Sequence, residues 1–208
     1  MKAILVLMVF EWKALIKGLL VVFMIIFPFT FLPILFSKGF DSGALIDHLP
    51  GAALFTLVFS LFVLGVALIN NIKSLHLRKK IFDSPAFRSL NFLPRFLGSG
   101  SITKDLESIL IGKLDKYFFR LRIENPKDEK CVLEIVPLIE YNDRLKKCLI
   151  SEHLFYESEN EFLGYYKEIN KAELEVEDLV SEILREIEYI LQEYKAVSLG
   201  LEEIDLLQ

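Results

Sequence analysis

Residues 18–37 read GLLVVFMIIFPFTFLPILFS, and residues 48–72 read HLPGAALFTLVFSLFVLGVALINNI. Neither run contains Asp, Glu, Lys or Arg. A bilayer core about 30 Å thick needs roughly 20 apolar residues in a helix, and both runs reach that length. Core helices of soluble proteins rarely go so long without a charge. The expectation is therefore an integral, multi-pass membrane protein anchored by a two-helix transmembrane hairpin, with spans at about 18–37 and 48–72. Pro28 and Pro33 should kink or interrupt the first span.

The ten residues before Glu11, MKAILVLMVF, begin like a signal peptide. They lack a small-residue cleavage site, and Glu11, Trp12, Lys13 and Lys17 interrupt them before the next apolar run. This lead-in is expected to tilt with the first span or to lie along the interface, with Trp12 at headgroup level.

Charge separates the chain into two physical objects. Residues 1–80 hold eight Lys and Arg against Glu11, Asp41 and Asp47, a net of +5, and residues 81–208 carry −10, which together give the whole-chain −5. The acidic rear half makes a poor general nucleic-acid binder, because such binding needs a basic footprint. Three regions follow: a membrane anchor at 1–80, a juxtamembrane connector at 81–100 and a cytoplasmic α+β domain at 101–208.

Orientation follows from the short flanks. Lys2, Lys13 and Lys17 precede the first span, and Lys73, Arg78, Lys79 and Lys80 follow the second, while the loop between them has Lys38 alone. The positive-inside rule then puts both termini in the cytoplasm, at the plasma membrane or a bacterial inner membrane. Trp12, Lys13, Lys17, Lys73, Arg78, Lys79 and Lys80 are the expected membrane-interface residues, and the lipid bilayer is the first partner. The basic cluster also suits anionic headgroups. Spans without charged residues argue against a self-contained transporter or pump. Ala52, Thr56 and Ser60 recur every four residues and form a small-residue helix-contact stripe, directed at the first span or at a second copy of the chain.

In the rear half, Ser84-Pro85 reads as a helix start. That short helix would carry Phe87, Leu90 and Leu93 and stop at Pro94. Gly98-Ser99-Gly100-Ser101 reads as a flexible break, with Ser101 capping another short helix through Ile111. The pattern then changes to period two. YFFRLRIE (117–124) alternates Phe119, Leu121 and Ile123 with Arg120, Arg122 and Glu124, a half-buried strand. CVLEIVPLIEY (131–141) reads as a central strand despite Pro137, which fits an edge or bulge better. Asn142-Asp143 reads as a turn, KCLISEHLFYE (147–157) as a third strand, residues 158–161 as a turn and 162–166 as a fourth strand.

From about Lys171 to Ala196 apolar residues recur at three- and four-residue spacing, a long helix with Asn170 and Glu173 placed as a capping box. The expected fold is a small, mainly antiparallel sheet of three or four strands packed by that helix. A coiled-coil seam between copies is the other use of the same stripe.

Chemistry is sparse. Cys131 and Cys148 fall far from one another in the expected hairpin, as in a reducing compartment, and supply too few ligands for a metal. His153 reads as a solvent-facing strand residue. The chain has no Walker-type phosphate loop, no HExxH and no GxSxG, so no catalytic residue and no cofactor is assigned.

One ligand site is expected. Arg120 and Arg122 share a strand face, with Arg144, Lys146 and Lys147 near the next turn, and Arg forks suit a small anionic or nucleotide ligand. The leading functional expectation is a membrane-tethered binding module. It would serve as scaffold or accessory subunit, with a protein partner or a homo-oligomer. The first alternative is a sensor-effector whose soluble domain binds an anion and whose oligomerised spans perturb the membrane. The second is a membrane-face enzyme.

Overall fold

The structure, a computed structural model, describes residues 2–38, 42–97, 107–153, 155–157 and 162–200. The chain divides into two compact units, one built on the helices up to Lys73 and the other on Ser74–Leu97 with the chain from Glu107 onward.

The first unit contains helix α1 (Lys2–Lys38) and most of helix α2 (Ser42–Phe82). Each is long and apolar enough to cross a membrane, over Trp12–Ser37 and Ile46–Phe82. α1 is one helix through Pro28 and Pro33, so neither proline interrupts it. Thr30, between them, returns its hydroxyl to Phe27 O at 2.9 Å. Residues 2–17 are continuous in helix with the first uncharged run. The two helices meet as a hairpin, since Thr30 Oγ1 lies 2.9 Å from Thr56 Oγ1.

In the second unit, six strands are present among the described residues: β1 (Leu93–Leu97), β2 (Glu107–Leu114), β3 (Tyr117–Glu124), β4 (Lys130–Leu138), β5 (Phe155–Glu157) and β6 (Leu163–Asn170). They form one antiparallel sheet in the order β1-β2-β3-β4-β6-β5. Helix α3 (Asp143–Glu152) joins β4 to β5, and helix α4 (Leu179–Glu193) follows β6. The architecture is α+β, with more strands than the three or four expected.

Four local expectations need correction. The segment read as a third strand is mostly α3. Asn142 does not close a hairpin; its side chain accepts the Leu145 N–H at 2.8 Å and caps the helix. Of the described residues of that segment, only Phe155–Glu157 are strand. The helix expected up to Ile111 is strand β2 from Glu107, and its start at 101–106 lies outside the described residues. The helix expected from Pro85 is a single 3-10 turn, Pro85–Phe87, after which the chain enters edge strand β1; Pro94 is tolerated there because an edge strand leaves one side unpaired. The C-terminal helix begins at Leu179. Before it the chain makes a 3-10 turn, Glu173–Glu175, and Asp178 takes a left-handed φ of 60°. Glu173 still reaches back to the Asn170 N–H at 2.7 Å, half of a capping box, but the turn it caps is the short one. The break at 98–101 and the turn at 158–161 lie outside the described residues.

Pro137 is accommodated by register. It pairs with Phe119 of β3, but the β4–β6 ladder ends at Ile135–Tyr165. Its carbonyl accepts the Tyr141 hydroxyl at 2.9 Å. A missing N–H costs little where the ladder bonds to β6 have already ended.

One face of the sheet forms the core. Phe119, Leu121, Ile123, Leu133 and Ile135 meet Val180, Leu184, Ile187 and Leu191 of α4, Leu145 and Leu149 of α3, and Ile81 and Phe87 from the end of α2 and the turn after it. Each such aliphatic contributes about 2 kcal/mol by leaving water. Glu188, on this same apolar face of α4, is buried because its Oε1 accepts the Lys116 N–H of the β2–β3 turn at 3.1 Å.

Candidate functional site

The opposite face of the sheet carries the polar chemistry. Period-two alternation sends Arg120 and Arg122 of β3 there, between the core residues Phe119, Leu121 and Ile123. Register then aligns Arg122, Glu134 and Tyr166 across three neighbouring strands. Glu134 is fully buried. Its Oε2 lies 3.5 Å from Arg122 Nη1, and its Oε1 accepts the Tyr166 hydroxyl at 2.8 Å. Arg122 also stands 3.6 Å from Glu124. The Tyr156 ring packs edge-on against Tyr166, with centroids 6.0 Å apart. Gly164 leaves the space this arrangement occupies: a Cβ there would sit 3.1 Å from the Tyr166 ring and 3.4 Å from Glu134 Oε1.

Arg120 is placed differently. Its strand neighbours are Ile111 and Val136, and its guanidinium lies 6.0 Å from the centre of the Phe162 ring. Its Nε is buried without a hydrogen-bond partner. Phe162 stacks edge-on against Tyr141 at 6.2 Å, and the Lys146 ammonium lies 5.9 Å from the Tyr141 ring on the α3 side. Arg120 and Lys146 thus flank an aromatic pair instead of converging. Arg144 and Lys147 are exposed on α3, whose apolar face belongs to the other side of the sheet. Of the five cationic residues singled out from sequence, Arg120 and Arg122 share the sheet face, while Arg144, Lys146 and Lys147 lie on α3. Burial and the Leu163 carbonyl hold the Tyr141 hydroxyl, and burial pushes its pKa well above the ordinary range.

His153 is not on a strand. It closes α3, its ring packs edge-on against Tyr194 at 5.5 Å, and its Nε2 lies 3.3 Å from the Tyr194 hydroxyl. That hydroxyl donates to Glu152 Oε2 at 2.6 Å, which pushes the Tyr194 pKa up to about 12. The group ties the end of α3 to the end of α4. Beside it, Glu140, Asn142, Tyr194 and Lys195 line a cleft of about 130 Å³. Cys131 is buried against the Ile169 carbonyl and Cys148 is half-buried, both as free thiols; burial raises the Cys131 pKa. Among the described residues no three His, Cys, Asp or Glu side chains are placed to hold a metal ion.

The helix-contact stripe faces inward within the hairpin. Ala52, Thr56 and Ser60 are buried, and the Thr56 hydroxyl reaches Thr30 of α1. Among the expected interface residues, Trp12 is half-exposed with the Lys13 ammonium 5.7 Å from its ring centre, and Lys17, Lys73, Lys79 and Lys80 are exposed. Arg78 is different: it is buried in the second unit, donating from Nε to Ile123 O at 3.1 Å and from Nη1 to Ser74 Oγ at 2.8 Å.

Sequence reasoning passed over Glu134, Tyr166 and Phe162. A signal existed for the first. A lone carboxylate inside the apolar run CVLEIVPLI must find partners if buried, and the arginine two residues before the end of the preceding strand is the nearest. No protein family, curated protein or solved structure matches the chain.

Proposed function

We propose that this chain is a membrane-tethered binding module, a scaffold or accessory subunit whose α+β domain engages a protein partner at the cytoplasmic face. The observation that carries the reading is the exterior of the two long helices. Met24, Phe29, Phe36 and Phe62 are 66–86% exposed, whereas the contact between α1 and α2 uses small residues and hydroxyls. Water would drive such large side chains together; lipid does not, and leaves small residues as the natural contact. The lysine-rich flanks support an orientation with both termini inside. On the sheet face of the α+β domain Arg122 pairs with Glu124 and Glu134, which suits recognition better than chemistry.

Two outcomes test this. The chain stays in the pellet after alkaline carbonate washing and dissolves in mild detergent. Affinity purification in that detergent returns one stoichiometric protein, which is lost when the chain is cut after Lys73. Release by carbonate, or a partner that persists without the α+β domain, contradicts the proposal.

Arg120 favours a second reading, a domain that senses a small anion. No carboxylate of the described residues pairs with it, and its Nε is unsatisfied. A thermal shift of the full chain in detergent with anionic nucleotides, abolished by Arg120→Ala, supports that reading. The absence of any shift counts against it.

A further inference from the structure

The last turns of α2 carry a charged stripe that the sheet does not use. His76, Lys79, Lys80 and Asp83 are spaced i, i+3, i+4 and i+7, so they share one helical face. Leu75, just before the stripe, and Arg78 and Ile81 within it are buried instead. The Ser84–Pro85 corner and Glu175 of the 3-10 turn stand beside the stripe, and together these residues line an open groove of about 500 Å³. Among the described residues, none of Lys79, Lys80, Asp83 and Glu175 joins an ion pair. The Ser84 hydroxyl is buried in this corner with no hydrogen-bond partner.

We infer that this groove binds the headgroup of an aminophospholipid, its phosphate against Lys79 and Lys80 and its primary ammonium against Asp83 and Glu175. The inference rests on the membrane reading above. A phosphate alone would meet two carboxylates in the groove, and a simple cation would meet two lysines. A ligand carrying both charges a short link apart satisfies all four. The type of amine follows from the lining. Quaternary ammonium groups are held by the faces of Trp, Tyr or Phe, and among the described residues none of these lines the groove; carboxylates suit an amine that still has N–H donors. A headgroup with an extra carboxylate would be repelled by Asp83 and Glu175.

The order of charges along α2 agrees. The uncharged run ends at Ile72, His76 follows about one turn later, and Asp83 lies about 6 Å beyond Lys79 along the axis. In a bilayer lipid the phosphate is nearer the acyl chains and the amine farther out. The C-terminal end of the helix dipole favours a cation at the Asp83 end for the same reason.

The test uses the purified full chain in mild detergent, mixed with equal amounts of phosphatidylethanolamine, phosphatidylcholine and phosphatidylglycerol, with retained lipid counted by native mass spectrometry. Phosphatidylethanolamine is expected to be retained about tenfold over the other two, the discrimination given by one charge-assisted hydrogen bond. Lys79→Ser with Lys80→Ser lowers its retention to the phosphatidylcholine level. Asp83→Asn with Glu175→Gln removes the preference over phosphatidylglycerol. Equal retention of all three lipids by the parent chain, or a preference that survives both double variants, overturns the inference. Displacement of the lipid by free phosphoethanolamine at equal concentration also overturns it, by assigning the groove to a soluble ligand. Carbonate washing of the same membranes reports separately on the premise: a carbonate-resistant chain without lipid preference sinks the groove alone.

Discussion

The hydroxyls of Thr30 and Thr56 lie 2.9 Å apart, linking α1 and α2 at a point where both helices expose large apolar residues to their surroundings. Each hydroxyl also reaches a carbonyl of its own helix, Phe27 O at 2.9 Å and Ala52 O at 2.8 Å. Self-bonding of this kind lets a threonine serve a chain-internal contact without leaving a polar group in lipid. With Thr30→Cys and Thr56→Cys combined, oxidation of membranes should join the two helices within one chain, seen as a faster-migrating monomer band. A covalent dimer as the main product would assign the stripe to a contact between copies.

The buried carboxylate on the sheet face makes a stability prediction. Glu134→Leu removes the buried carboxylate that pairs with Arg122, itself only 20% exposed, and should cost about 2–3 kcal/mol. Tyr166→Phe removes one hydrogen bond and should cost about 1 kcal/mol. The two effects should fall short of additive in chemical denaturation of the detergent-solubilised chain, because both act through Glu134. Strict additivity would mean that the three residues do not form one network.

How much of this was legible in sequence depends on how loudly each segment declares its period. The uncharged runs and the YFFRLRIE alternation read directly, because a long helix apolar on every side and a half-buried strand each impose one pattern. α4 read directly in its middle, where Val180, Ile183, Leu184, Ile187 and Leu191 keep one stripe. Its start did not, since Glu173 and Glu175 look like first-turn acids whether the turn is α or 3-10. α3 was hidden by Asn142, a residue equally at home in a turn and at an N-cap; the spacing of Leu145 and Leu149 was the missed signal. β2 was hidden by its three consecutive apolar residues, Ile109, Leu110 and Ile111, which show no period at all. Of the polar face, Arg120 and Arg122 were visible because they lie on one strand. Glu134 and Tyr166 join them only through register, which depends on strand order.

Close packing of Phe92 leaves no room for a side chain at Gly112. A Cβ at this position would clash with the buried Phe92 ring. Gly112→Ala should therefore destabilise the domain by about 1–3 kcal/mol, and Phe92→Leu should recover part of the loss. A neutral Gly112→Ala in thermal unfolding would show that Phe92 is not packed there.

Alkaline pH should weaken the fold through Cys131 and Tyr194, and at still higher pH through Tyr141, whose hydroxyl burial raises further. The Cys131 thiol is raised above 9.0 by burial, and Tyr194 is raised from 10.0 to about 12, mainly by its bond to Glu152. In both, the unfolded chain gives up its proton before the folded one does, so the native state holds more protons. The Cys131 contribution is whole below about pH 9 and is lost as pH climbs through its raised value; that of Tyr194 is lost between pH 10 and about 12. Denaturation midpoints should fall across this range and fall less in Tyr194→Phe. Thiol reagents at pH 8 should modify Cys148 first and Cys131 only on unfolding.

The membrane hairpin with an inward-facing α+β domain is tested most directly by a membrane-impermeant maleimide on intact cells. Two chains lacking Cys131 and Cys148 are compared, one with Gly43→Cys at the exposed start of α2 and one with Glu182→Cys on the exposed side of α4. The account predicts that Gly43→Cys reacts from outside, and that Glu182→Cys reacts only after lysis. Labelling of Glu182→Cys on intact cells, or no outside labelling of Gly43→Cys, would contradict it.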